Sequence, residues 1–91
     1  MKDPIDWPSF GMPEGVEVEY EVQATPIGKR YIWRLSVRDA LLVLSRDPHD
    51  PIDVAASDVA LYVEVLVPPD FPILEAFMRA ARAIERGEVE L

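Results

Sequence analysis

Two stretches of strictly alternating apolar and polar residues, joined by a short turn sequence, constrain this chain more than any other feature. The first, GVEVEYEV at residues 15–22, places valines and Tyr20 on one side and three glutamates on the other. The second, RYIWRLSV at residues 30–37, alternates in the same way around Tyr31 and Trp33. A period of two is typical of a half-buried strand. With TPIG between them, the two stretches predict a β-hairpin.

The register of this hairpin is constrained by the apolar residues, which are even-numbered in the first strand and odd-numbered in the second. Paired residue numbers must therefore sum to an odd value if both apolar sets face the same side. A four-residue loop satisfies that rule, pairs Thr25 with Arg30, and suits a type I turn led by Pro26. Glutamates then oppose arginines, which accounts for the basic run at residues 29–38 without a partner. The expected pairs are Glu21 with Arg34 and Glu17 with Arg38.

Residues 39–46, DALLVLSR, fit either a strand or a helix. As a helix, the segment would begin with a capping box formed by Ser36 and Asp39. As a strand, its apolar run has a fitting length. We favour the strand, continuing the second strand past a bulge near Arg38.

Residues 58–67, DVALYVEVLV, are apolar on both faces of a strand, with Glu64 as the exception. A strand covered on both sides is typical of the centre of a sheet. We therefore expect this segment to be a central strand. An acid in such a strand could act as a base in a pocket, but more often it lies at a sheet edge or pairs with an arginine, here Arg46.

Residues 71–86 are expected to form the only long helix. Asp70 is a candidate N-cap, Pro72 suits the first turn, and Gly87 suits the C-terminal cap. An apolar stripe at helical spacing comprises Ile73, Leu74, Phe77, Met78, Ala81 and Ile84. The expected fold is α+β: an antiparallel sheet of about four strands with one C-terminal helix packed on the face that carries Val59, Leu61 and Val63.

A chain of 91 residues has one core at most, so we expect a single domain over residues 1–91. Residues 1–15 contain three prolines and two glycines, which disfavour any regular element. We expect them to form an extended N-terminal arm, followed by the sheet over residues 16–67. Trp7 and Phe10 are too apolar for a free tail. They would either dock on the domain or serve as aromatic anchors for a partner.

The composition excludes several classes of protein. The net charge of −8 opposes direct binding of nucleic acid, because phosphates require clustered lysine and arginine. No stretch approaches the ~18 apolar residues of a membrane span, and the N-terminus lacks the apolar run of a signal peptide. Cysteine is absent, which excludes disulfides and thiolate sites. We expect a cytoplasmic protein without a cofactor.

The stretch DPHDPID, residues 47–53, contains the only histidine. Carboxylates and an imidazole could bind a cation. Their spacing matches no metal motif, however, and aspartate before proline is common in turns. We favour a loop, and keep a weak metal site or a small enzyme as an alternative. The residues concerned are Asp47, His49, Asp50 and Asp53.

The function that these features favour is that of a small, acidic, non-enzymatic protein-binding module. It would inhibit or regulate a larger basic partner, such as one that handles nucleic acid, by imitating a phosphate backbone. Phage-encoded or mobile-element inhibitors, including anti-CRISPR-type proteins, share this size, acidity and lack of motifs. The alternative is a homodimeric structural or accessory subunit. The expected partner-binding residues are Asp47, Asp50, Asp53, Asp58, Trp7 and Phe10.

Overall fold

A computed structural model describes residues 3–48 and 59–91 of the chain. Four strands form one antiparallel sheet in the order β1-β2-β3-β4, and a C-terminal helix follows, so the expected α+β fold is confirmed. The elements are a short 3₁₀ helix (Trp7–Phe10), strands β1 (Glu17–Thr25), β2 (Gly28–Val37), β3 (Ala40–Pro48) and β4 (Val59–Val67), and helix α1 (Phe71–Glu85).

The β1–β2 hairpin obeys the odd-sum rule but has a shorter loop than expected. Thr25 pairs with Gly28, which leaves a two-residue turn and shifts the register by two residues. Gly28 has a φ of 147°, a conformation that favours glycine and lets β2 begin directly after the turn. The predicted four-residue loop was wrong because parity does not distinguish loops that differ by two residues.

The shifted register changes which charges meet across β1 and β2. Arg34 lies opposite Glu19, and Nη1 of Arg34 reaches diagonally to Oε2 of Glu21 at 3.0 Å. The charge pairing of Arg34 with Glu21 therefore survives through a diagonal contact. The predicted pairing of Glu17 with Arg38 was wrong, because Glu17 opposes Ser36.

The segment 39–46 is a strand, as favoured, but it does not continue β2. The chain reverses in a two-residue turn, in which Arg38 has a left-handed φ of 51°. A tight turn and a bulge both interrupt side-chain alternation at one point, so the sequence pattern did not separate them. The bulge lies instead in the pairing of β3 with β4, between Leu41 and Leu42.

Strand β4 lies at the edge of the sheet, so its predicted central position was wrong. An apolar pattern on both faces shows that the strand favours burial, but it does not say what covers the strand. The expected pairing of Glu64 with Arg46 was also wrong. Glu64 opposes Val43 and Arg46 opposes Leu61, on opposite faces of the sheet.

Helix α1 has the boundaries that its flanking residues indicate. Asp70 precedes the first turn, although its side chain makes no capping hydrogen bond. Gly87 has a left-handed φ of 76°, and the N–H of Glu88 donates to the carbonyl of Ala83 at 2.9 Å. This is the hydrogen bond of a Schellman motif, which satisfies a carbonyl left free at the helix end.

The core lies between α1 and the two central strands. Leu61 and Val63 of β4 are partly buried against it, so α1 lies on the expected face of the sheet. The largest fully buried side chains are Trp33, Leu35, Leu42, Leu44, Phe77 and Ile84.

The N-terminal arm packs on the same face as α1. Ile5 and Trp7 belong to the buried core. The expectation that the arm lacks a regular element was wrong, since one 3₁₀ turn forms and Gly11, with a φ of 87°, closes it. Pro8 suits the start of that turn because its missing N–H would be unpaired there in any case.

Candidate interaction surfaces

Of the predicted acidic contact residues, Asp47 is the one within the described chain. It lies on β3, and Nε of Arg30 approaches its Oδ1 at 2.5 Å. That oxygen is buried and accepts no well-aligned hydrogen bond, so the contact is an ion pair without hydrogen-bond geometry. The charge of Asp47 is thus balanced within the sheet. Asp50, Asp53, Asp58 and His49 lie outside the described residues.

The arm is held by the carboxylate of Asp3, whose contacts with two indoles the sequence did not predict. Oδ2 of Asp3 accepts a hydrogen bond from the indole of Trp7, and Oδ1 accepts one from the indole of Trp33, both at 2.8 Å. Oδ1 also accepts the backbone N–H of Ile5 at 2.8 Å. Hydrogen bonds to an ionised carboxylate are among the stronger ones. Asp3 therefore joins the arm to the centre of the sheet.

The two aromatic residues of the arm are used by the protein itself. Trp7 is 6% exposed, so a partner has no access to its ring while the arm is docked. Phe10 is partly buried against the core, and its carbonyl accepts a hydrogen bond from Arg79 at 3.5 Å. These contacts give Trp7 and Phe10 a structural role. A direct partner contact through them stays a prediction.

A stack of three aromatic rings lies beside the arm. Tyr20 and Tyr31 flank Trp33, with ring centroids 5.4 and 6.4 Å from it. Burial raises the pKa of Tyr20 above its ordinary value of 10, and the neighbouring Tyr31 and Asp3 add to that shift. The stack stabilises the part of the sheet, in β1 and β2, that the arm covers.

Exposed acids gather where the β2–β3 turn meets the start of α1. Glu14, Asp39 and Asp70 line one shallow depression there, together with Arg38. These residues come from the arm, the turn and the helix N-terminus. The fold thereby brings together negative charges that are far apart in sequence.

The β1 edge is also acidic. The glutamates of this strand alternate on the face opposite α1, and Glu17 and Glu19 are exposed. Glu21 accepts hydrogen bonds from Gln23 and Arg34, which lower its pKa. Charged side chains of this kind protect an exposed edge from pairing with another strand.

The opposite edge carries exposed apolar side chains instead. Val65 opposes the buried Leu42 and so points to the α1 side, whereas Tyr62 opposes Ser45 and points to the other side. Apolar groups therefore flank the edge on both faces of the sheet. We call five exposed residues the β4 surface: Tyr62, Val65, Leu66, Val67 and Phe71.

The outer edge of β4 has little of the usual protection against strand pairing. Over residues 3–48 and 59–91, no strand pairs with this edge. Its sequence, VALYVEVLV, contains no lysine, arginine or proline, and Glu64 is its single charge. Lysine, proline and bulges are the features with which proteins normally block an edge. Of these, β4 carries only a bulge at Leu66, because Val65 opposes Leu42 and Val67 opposes Leu41. Phe71 extends this apolar surface to the first residue of α1, which the sequence pattern did not predict.

Known proteins and familiar site patterns do not identify a function for the chain. Comparison with models of protein families, with curated proteins and with solved structures finds no match. Among the described residues, no group of three histidine, cysteine, aspartate or glutamate side chains is arranged to hold a metal ion. No helix in that part of the chain is long and apolar enough to cross a membrane.

Proposed function

We propose that the protein is a non-enzymatic protein-binding module of the cytoplasm that works through the β4 surface. The observation that carries this proposal is an edge strand without lysine, arginine or proline that has apolar side chains on both faces. Val65 and Leu66 are 44% and 49% exposed, and Phe71 is 75% exposed. These are large fractions for residues that favour burial.

The chemistry of an edge strand defines what such a surface binds. Every second residue of β4 directs its N–H and C=O away from β3, where another strand would accept and donate the matching hydrogen bonds. A strand added there also buries apolar side chains on both faces at once. Pro68 and Pro69 follow β4 and limit the pairing to its nine residues.

A matched pair of lysine variants tests the proposal. Val65 and Ile27 are aliphatic and both 44% exposed, but Ile27 lies in the distant β1–β2 turn. Tagged wild type, Val65→Lys and Ile27→Lys are used to capture partners from host lysate at high salt. Wild type and Ile27→Lys should retain a partner that Val65→Lys loses. Equal capture by all three proteins would contradict the proposal, as would capture by none together with a wild type that is monomeric in solution.

A second candidate is an inhibitor or regulator of a basic partner, in which acidic groups imitate a phosphate backbone. The gathering of Glu14, Asp39 and Asp70 around one depression supports it, as does the net charge of −8. The loop aspartates Asp50, Asp53 and Asp58 belong to this proposal as predicted contacts.

Salt dependence separates this second candidate from the first. A partner held by charge should elute as salt rises, and the double variant Asp39→Asn/Asp70→Asn should slow association. A partner of the β4 surface should resist salt, because apolar burial is not screened. A complex that is insensitive both to salt and to the two asparagine substitutions would contradict the acidic-surface candidate.

A further inference from the structure

We infer that the β4 surface binds a second copy of this chain, with β4 pairing antiparallel to β4 of that copy about a two-fold axis at Val63. The inference rests on the proposed function and names the partner. The product is a continuous eight-stranded antiparallel sheet. A two-fold axis perpendicular to the sheet places both α1 helices on the same face.

The position of the axis follows from the residues that it would bring together. Val63 is the middle residue of β4, so an axis there uses the whole strand, with regular pairing over residues 61–65 and an irregularity at the bulged Leu66. An axis at Glu64 would place that carboxylate opposite its own copy, which is unfavourable. An axis at Val65 would place Tyr62 opposite Pro68, which has no N–H to donate.

The register centred on Val63 also provides a partner for the only charge of the strand. Glu64 then lies opposite Tyr62 of the second copy, on the same face of the sheet. A phenolic hydroxyl can donate a hydrogen bond to a carboxylate. On the α1 side, Val65 lies opposite Leu61 of the second copy. Each apolar side chain therefore meets an apolar one, and the single acid meets a hydrogen-bond donor.

The helix face of the sheet leaves room for the second copy beside β4. Arg79 lies on the flank of α1 that contacts the arm, since its guanidinium approaches the carbonyl of Phe10. Leu74 precedes Arg79 by five residues and so lies on a different flank of α1. It is only partly buried, as are Leu61 and Val63 of β4. In the dimer, helix α1 of the second copy would lie on the same face and would cover more of these partly buried side chains.

The size of the surface suits a modest dimer. A nine-residue strand is about 30 Å long. A standard interface buries about 800 Å² per partner, roughly an eighth of the 6044 Å² surface of this chain. The β4 surface comprises one strand edge and Phe71, so the contact should be small for a stable dimer. We therefore expect a dissociation constant of order micromolar.

The first test is the molar mass of the purified protein in solution, measured by sedimentation equilibrium across the micromolar range. Wild type and Ile27→Lys should dimerise with the same dissociation constant. Val65→Lys should raise that constant at least tenfold, because it places a charge at the edge on the α1 side. Circular dichroism checks that the lysine variants remain folded.

The second test fixes the register by cysteine cross-linking, which is clean because the chain has no cysteine of its own. In Val63→Cys the two Cα atoms should lie about 4.5–5.5 Å apart across the axis, within disulfide range. The equivalent atoms in Glu64→Cys lie farther apart, because each opposes residue 62. Oxidation should cross-link Val63→Cys faster than Glu64→Cys, and Ile27→Cys least of all. The reverse order for the two strand positions would overturn this register.

Failure of this inference is distinguishable from failure of the proposed function. A monomeric wild type without cross-linking of Val63→Cys overturns self-pairing. If lysate capture is then still lost in Val65→Lys, a different protein occupies the β4 surface and the proposed function stands. If capture also fails, both are overturned.

Discussion

The two edges of the sheet present opposite surfaces to an approaching strand. Strand β1 carries Glu17 and Glu19 exposed along its length, whereas β4 carries one acid and several exposed aliphatic side chains. Pairing a foreign strand with β1 would bring those glutamates close to another chain and strip them of water. The contrast indicates that one edge is closed to strand pairing and the other is open.

The sheet face on which α1 packs also has two different halves, one covered and one exposed. The β1 half is covered by the N-terminal arm, which Asp3 ties to Trp33. The β4 half has only the flank of α1 beside it among the described residues, and Val65 stays exposed. The chain's own arm thus covers one side of this face, whereas Val65 on the other side is exposed.

Removing the charges from the β1 edge should have the largest effect. In the double variant Glu17→Val/Glu19→Val both edges become open, and strands can pair at each end of the molecule. We expect growth from dimers to open assemblies as concentration rises, measured by light scattering. Adding Val65→Lys closes the other edge and should stop that growth. A double variant with the wild-type mass would show that the glutamates do not protect β1.

Releasing the arm should have the next largest effect. Asp3→Ala leaves the indoles of Trp7 and Trp33 without their acceptor. The expected loss is about 2–4 kcal/mol of unfolding free energy, measured by urea denaturation. Asp3→Asn, which keeps one acceptor oxygen, should lose less. A change below about 0.5 kcal/mol in Asp3→Ala would mean that the arm contributes little to folding.

Two phenylalanines of α1 sharpen the contrast between buried and exposed apolar groups. Phe71→Ser should change stability by no more than about 0.5 kcal/mol, because the ring is already in water. It should weaken association about five- to tenfold, or about 1–1.4 kcal/mol. Phe77 is fully buried, and Phe77→Ala should cost about 3–5 kcal/mol of stability. Unchanged association in Phe71→Ser would confine the interface to the strand.

The smallest expected effect is the change of stability with pH that Tyr20 of β1 causes. The pKa of Tyr20 is raised in the folded state, chiefly by burial, so the neutral hydroxyl is favoured there. Its contribution to stability is fully present below the unfolded value of 10, and is lost as pH rises through the folded pKa. Denaturation between pH 9 and 11 should show this loss, and Tyr20→Phe should reduce it. An identical pH profile in Tyr20→Phe would exclude this residue as the cause.

Local patterns in the sequence were sufficient for the regular elements. Alternation around Tyr20 and Trp33 predicted the first hairpin, and Gly87 marked the end of α1 with the left-handed conformation that a helix C-terminus favours. These patterns are informative because the side-chain periodicity of a strand or helix, and the capping of a helix, depend on residues close in sequence. The loop length of the hairpin escaped them, because the side-chain faces are identical for a two-residue and a four-residue turn.

The candidate site was less predictable than the fold. The aromatic arm was recognised from Trp7 and Phe10, and a partner-binding role was inferred for both. The structural role of Trp7 depends on Asp3, which accepts hydrogen bonds from two indoles. These groups come together only in the folded chain. Asp47 was expected at a contact surface, yet its ion pair with Arg30 depends on the β2–β3 register. Phe71 gave no sequence signal, because helix N-terminal position alone does not indicate exposure.

The sequence by itself determined that this chain forms strands and one amphipathic helix, that one face of its first strand is acidic, and that residues 59–67 favour burial. Only the tertiary structure decided that those last residues form an edge strand, with Val65 exposed, rather than a central one. The physical reason is that the hydrophobicity of a segment determines how much free energy its burial contributes, but not which surface will cover it. Strand order supplies that answer, and here it places the most apolar strand where another molecule can reach it.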